Sequence, residues 1–239
     1  MDVKKIVLGV LFLSLSFSAY SQENKPDIKL SADIVNSYVW RGFKQSGASV
    51  QPYLGVEYKG FSLSGWASTD IGGNDKKEVD FSFGYSISGF NFRLIDYWWD
   101  GEYANRYFSS PRESNSGHML ELGISYTLSE SFPLSLSWNT FFLGKGNKKA
   151  NGDNSYSTYI EALYPFTLKD INMFVSAGFL PWESSVYGSE MDGLKFTSIQ
   201  LGASKEIKIT DQFRLPVFAN ITANPAVEDI HFVFGFTIK

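Results

Sequence analysis

The chain has 239 residues, of which 19% are charged and 17% aromatic, with 21 Phe, 13 Tyr, 6 Trp and no cysteine. The lack of cysteine excludes disulfide frameworks, thiolate nucleophiles and Cys-based metal sites, and a net charge of −4 offers no basic footprint for nucleic acid. Soluble domains carry about 25% charged residues, so the chain is poor in charge and rich in rings, yet its mean hydropathy of −0.13 is far from that of a helical membrane protein.

A transmembrane β-barrel reconciles these facts. Each strand turns one apolar face to lipid and one polar face to the lumen, so hydropathy averages to about neutral. Residues 1–22 read as a secretory signal: Lys4 and Lys5 form a positive start, Ile6 to Phe17 an apolar core, and Ala19-Tyr20-Ser21 the small residues of a cleavage site near Ser21 or Gln22. The apolar core is shorter than the ~20 residues of a membrane helix. Its removal takes Asp2, Lys4 and Lys5 and leaves residues 23–239 as one barrel domain of net charge −5.

Alternating segments then follow in succession. Strands are predicted near 29–43, 49–59, 61–70, 77–88, 90–99, 117–128, 132–143, 155–167, 170–180, 194–206, 211–221 and 228–238. Twelve is an even number, as an up-and-down antiparallel barrel with both termini in the periplasm requires. Short connections (Lys59-Gly60, Ser88-Gly89, Ser129-Glu130-Ser131, Lys169-Asp170, Ile209-Thr210-Asp211) alternate with longer polar ones (Gly42–Ser49, Ile71–Lys77, Asp100–Ser116, Gly144–Asn154, Pro181–Gly193, Ala223–Val227). Short periplasmic turns and long outer loops are the asymmetry of outer-membrane barrels; a soluble sandwich has no reason to keep that parity.

Within strands the period of two separates the faces. Val79, Phe81, Phe83, Tyr85 and Ile87 oppose Glu78, Asp80, Ser82 and Ser86, and Ile230, Phe232, Phe234, Phe236 and Ile238 oppose His231, Val233, Gly235 and Thr237. By the same parity Asp33, Arg41, Glu57, Glu78, Asp80, Arg93, Glu121, Glu161 and Arg214 are candidates to line the lumen. Such groups either set a field along a water-filled path or pair across a plugged barrel. At about twelve strands the barrel lies between small filled barrels and wide porins, and both readings stand. Arg41 is the side chain placed to bind or gate at the mouth, or to pair with a carboxylate such as Glu57 or one across the barrel, since buried arginines are usually paired. Tyr38, Trp40, Trp98, Trp138, Phe142 and Trp182 are expected to form the outer aromatic girdle at the membrane interface.

Catalytic chemistry has little support. A surface lipid hydrolase needs a serine within reach of an oriented histidine. Ser109 to Asn115 lies near His118, but His118-Met119-Leu120 has no serine two places on, and His231 is expected inside the last strand, near its periplasmic middle. No catalytic residue, metal or cofactor is expected from two histidines and scattered carboxylates.

Ser37-Tyr38-Val39-Trp40-Arg41-Gly42-Phe43, then Gln45-Ser46 and Gln51-Pro52, together with Glu78-Val79-Asp80-Phe81 and Gly84-Tyr85, resemble the TorF-type porin family. The motifs cover about the first third of the chain; the strand and loop layout extends the likeness. The resemblance implies a Gram-negative outer-membrane barrel with pore activity and brings no substrate or catalytic residue. The C-terminus, Phe236-Thr237-Ile238-Lys239, departs from insertion signals that end on an aromatic. The expectation is an outer-membrane porin that sits in lipid and passes a small solute. A non-conducting structural or adhesion barrel with binding loops, its lumen closed by paired charges, is the alternative.

Overall fold

The computed structural model describes residues 25–73, 77–100, 107–108, 116–188 and 191–239. Residues 1–22, expected to be a signal segment, and most of the 100–116 loop, including Ser109 and Ser110, lie outside the described residues.

Twelve strands close into one antiparallel up-and-down barrel. They are β1 (Asp27–Val35), β4 (Ser49–Tyr58), β5 (Phe61–Asp70), β6 (Lys77–Ile87), β7 (Phe90–Trp99), β8 (His118–Thr127), β9 (Ser135–Gly144), β10 (Thr158–Leu168), β11 (Ile171–Leu180), β12 (Lys195–Lys208), β13 (Arg214–Asn224) and β14 (Asp229–Ile238). Each pairs with its neighbour in sequence, and β1 closes on β14. Two further short strands, β2 (Tyr38–Trp40) and β3 (Phe43–Ser46), form a separate hairpin between β1 and β4.

The short turns have the chemistry that closes a twisted pair. Lys59-Gly60 and Ser88-Gly89 place both residues at positive φ (50° and 85°, 49° and 83°), the type I′ geometry that matches strand twist. At the Lys169-Asp170 turn, Lys205 reaches from β12 to Asp170 (2.7 Å) and its hydrogen bond holds that carboxyl below its usual range.

The barrel wears its apolar residues outside. Ile28, Leu54, Leu63, Phe81, Phe83, Phe92, Leu122, Leu201, Ile221, Phe232 and Phe234 are all exposed on the outward face, Phe83 at 50%. Serines and amides occupy the inward face: Gln51, Ser64, Ser68, Ser82, Ser137, Asn139, Ser176, Gln200 and Asn220 are buried there. Several of the larger inward rings of the wall lie over glycines, with Tyr53 against Gly55, Phe174 against Gly202 and Phe218 against Gly235. A bare glycine gives a ring room to lie flat on the sheet.

The first predicted strand, 29–43, is the main departure. β1 ends at Val35, whose partner on β4 is Ser49, and the 13 residues between them carry the β2–β3 hairpin into the barrel. Tyr38 and Trp40 are therefore not interface anchors: both are buried, in a cluster with Ile95, Tyr97, Met119, Phe141 and Tyr159 from the inner wall. Alternating rings face outward when they stand in the wall, but inside a wide lumen the same rings fill space that small wall residues leave empty.

Candidate functional site

The hairpin fills the long-loop half of the lumen. At its tip Arg41 has φ 51° and Gly42 φ 89°, a turn that swings the guanidinium to the opposite wall. Arg41 is 5% exposed and Glu121, on β8, is 0% exposed. Nη1 donates to Glu121 Oε1 (2.6 Å) and Nη2 to Oε2 (2.9 Å), a fork-on-fork pair. Nη1 also donates to the Tyr187 hydroxyl (2.6 Å), and the Tyr97 hydroxyl donates to Glu121 Oε2 (2.9 Å). The guanidinium carbon lies 4.5 Å from the Trp40 ring centroid and 4.8 Å from that of Tyr159, both within cation–π range. Both oxygens of the carboxylate are thus used and two rings flank the guanidinium at cation–π distance, which is what a charge pair needs to survive removal from water.

Aromatic packing seats the rest. Trp40 stacks on Tyr187 (5.3 Å, 9°) and meets Tyr97, Trp99 and Phe141 at their edges, and Phe43 also leans on Tyr187 (5.6 Å). Tyr187 belongs to a short 3-10 helix, Ser185–Tyr187, in the β11–β12 loop; that loop folds inward and locks the hairpin from above. On the side away from Glu121, Asn224 Nδ2 donates to the Gly42 carbonyl (3.1 Å). A Cβ built at Gly42 would stand 1.7 Å from the Thr197 carbonyl oxygen, so the hairpin tip touches β12 backbone to backbone and β13 through the Asn224 side chain.

The remaining lumen candidates fall into separate groups. Asp33 accepts from Thr237 Oγ1 (2.6 Å), Glu57 pairs with Lys29 (2.8 Å), and Glu161 accepts from the Tyr159 hydroxyl (2.9 Å) and Ser176 (3.5 Å). Glu78 and Asp80 are buried side by side on β6, and Glu78 Oε1 and Asp80 Oδ1 have no hydrogen-bond partner among the described residues. Arg93 sits half-buried on the inward face of β7, and Arg214 is exposed at the short-turn end of β13. Arg41 reaches Glu121 and not Glu57.

Of the remaining girdle candidates, Trp138 and Trp182 lie exposed with rings 5.7 Å apart, and Phe142 is half-buried nearby in β9. Trp98 is not exposed: it is buried beneath Tyr107, whose ring is 5.5 Å away. In the same outward cluster His118 Nδ1 meets Asp96 Oδ1 (2.9 Å) and Nε2 meets the Tyr107 carbonyl (2.5 Å). Both ring nitrogens of His118 are occupied by acceptors other than a serine. His231 lies on the inward face of β14 but near its long-loop start, not toward the periplasmic middle, and faces Asp229 (3.5 Å). Sequence reasoning missed Tyr97, Phe141, Tyr159 and Tyr187 as site residues. For the first three a signal existed, because large rings at inward parity are out of place in a lumen lined by serines.

The fold and its filled interior define a twelve-strand up-and-down β-barrel of inverted polarity, stoppered by one of its own loops. Comparison with known proteins found no matching family model and no curated protein of significant similarity.

Proposed function

We propose that the protein is a TorF-type porin of the Gram-negative outer membrane, exported by its N-terminal signal segment and closed at rest by the 38–46 hairpin. The observation that carries this reading is the inversion of polarity: a closed sheet exposes a continuous apolar surface and buries its serines, amides and carboxylates. Water on both faces would leave that whole belt of large apolar side chains exposed, whereas lipid outside satisfies them and the closed ladder leaves no unpaired strand edge. Trp138 and Trp182 then stand at the lipid–water boundary. A small solute passes once the hairpin is displaced.

The hairpin can be removed cleanly. Val35 and Ser49 are already cross-strand partners, so deleting residues 38–46 leaves Asn36-Ser37-Gly47-Ala48 as an ordinary short hairpin loop. In planar bilayers the intact protein is expected to be silent or nearly so, and the deletion variant to open steady conductance steps. The structural-barrel alternative is favoured by the fully satisfied Arg41–Glu121 pair, and it predicts silence from both proteins. Recovery of the folded chain from the soluble periplasm, not the outer membrane, would reject the porin and structural readings together.

A further inference from the structure

The plug leaves one part of the lumen electrically unfinished. Glu78 is 5% exposed and Asp80 2% exposed, two residues apart on the inward face of β6. Glu78 Oε1 and Asp80 Oδ1 lack hydrogen-bond partners among the described residues. The charges that bear most on Asp80 are Glu78, Asp96 and Glu121, all of them carboxylates, and Arg41 is spent on Glu121 and Tyr187. Two buried carboxylates cannot both stay ionised without a cation, because the desolvation of a lone ion far exceeds any other local contribution.

The walls around this pair narrow the choice of cation. Trp66 and Tyr97 are the cross-strand partners of Asp80 on β5 and β7, and Ser68 and Trp99 those of Glu78. Trp66 also meets the ring of Tyr38, edge to face at 5.4 Å, so a plug residue reaches this part of the wall. A divalent metal asks for six or more oxygens in a regular shell, and no group of three or more acidic or histidine side chains suited to one occurs among the described residues. Aromatic rings with two carboxylates are instead the surroundings that hold an ammonium: the carboxylates accept its N–H bonds and the rings face its charge.

We propose that Glu78 and Asp80, with Trp66, Trp99 and Tyr38, form a binding site for a small organic ammonium at the boundary between plug and wall. This names the solute class of the porin reading and rests on it. The cation enters from the long-loop end, where Glu78 is the second residue of its strand, and exchanges for the proton that the pair otherwise shares. Because Tyr38 belongs to the hairpin, an occupied site touches the plug directly.

The test uses purified full-length protein in detergent, titrated with ethylammonium chloride against sodium chloride at matched ionic strength. Tryptophan fluorescence, with Trp66 and Trp99 at the site, and the thermal unfolding midpoint serve as independent readouts. Expected is saturable ethylammonium binding that raises the midpoint and is weakened at least about tenfold in the Glu78→Gln/Asp80→Asn double variant, while Glu57→Gln behaves as wild type. The double variant keeps side-chain shape and removes uncompensated charge, so it is expected to fold. No saturable binding, an equal response to sodium, or binding unchanged in the double variant would overturn the proposal. If the hairpin deletion conducts but ethylammonium does not bind, the ammonium site falls alone. If ethylammonium binds but no form conducts, the site stands as a binding site and its reading as the porin's solute site falls with the porin.

Discussion

Replacing Arg41 with alanine is expected to release the plug without unfolding the barrel. The substitution leaves Glu121, 0% exposed, with its charge buried and its fork-shaped partner gone. Breaking a buried pair by removing one member costs about 3–5 kcal/mol. That cost can be escaped by a single movement, the undocking of the hairpin, which lets water reach Glu121 while every strand pairing of the wall remains. The ratio of docked to undocked hairpin is therefore expected to fall by about 10²–10⁴-fold. It is read as new conductance in bilayers and as faster amide exchange over residues 38–46. Wall stability, followed by the heat-induced loss of strand signal, is expected to change little. Arg41→Met/Glu121→Met restores a docked hairpin, since an apolar pair of similar volume replaces a buried ion pair at little or no cost. A single Arg41→Ala variant that stays closed and exchange-protected would show that the ring cluster alone seats the plug.

Gly42→Ala tests the same docking through sterics alone. Gly42 has φ 89°, a conformation that costs a residue with a side chain about 1–3 kcal/mol. The added methyl would also lie 1.7 Å from the Thr197 carbonyl oxygen, a backbone atom of β12 and not the end of a flexible side chain. The tip of the hairpin has to withdraw, taking the Asn224 bond with it. Gly73→Ala is the matched control. Gly73 has φ 95°, and among the described residues nothing lies within 4 Å of where its methyl would stand, so it carries the backbone penalty without the clash. Gly42→Ala is expected to open conductance and expose residues 38–46 to exchange, and Gly73→Ala to do neither. Equal behaviour of the two would remove close contact at the tip as the cause.

How much is legible from residues alone differs between wall and plug. The wall is legible because its code is local: a period of two within each strand and a two-residue turn such as Lys59-Gly60 between them need no knowledge of the rest of the chain. The plug is not legible, because Tyr38 and Trp40 alternate as a wall strand does, and nothing local distinguishes a ring on the outer face of the wall from one that meets another ring across the lumen. What turns them inward is a volume requirement. Twelve strands enclose more space than serines and amides can fill, and at the long-loop end that space is taken by Tyr97, Phe141 and Tyr159 from the wall and by the hairpin between them. Arg41 is expected from its residue type to find a carboxylate, and Glu121 is among the candidates. The choice between Glu121 and Glu57 depends on where the hairpin points, which parity does not encode. Tyr187 is beyond reach for a different reason: it is placed by a loop tied to the β9–β10 connection through Ser184, Ser185 and Val186, contacts between segments far apart in sequence.

The seam between β1 and β14 has a mechanical consequence. These strands pair over only four positions, Ala32↔Ile238 to Val35↔Gly235, against nine between β1 and β4. Beyond Val35 the backbone turns away, and Asn36 laces the gap instead: its amide nitrogen and side chain bond the Phe234 and Phe232 carbonyls (3.1 Å each) and its Oδ1 accepts from Phe234 N (2.7 Å). Asn36 is two residues from the root of the hairpin. A pull that lifts the stopper along the axis is thus transmitted to a side chain that, with the Asp33–Thr237 bond, ties the cylinder shut at its thinnest join. Movement of the hairpin and loosening of the β1–β14 seam therefore meet at a single residue, Asn36.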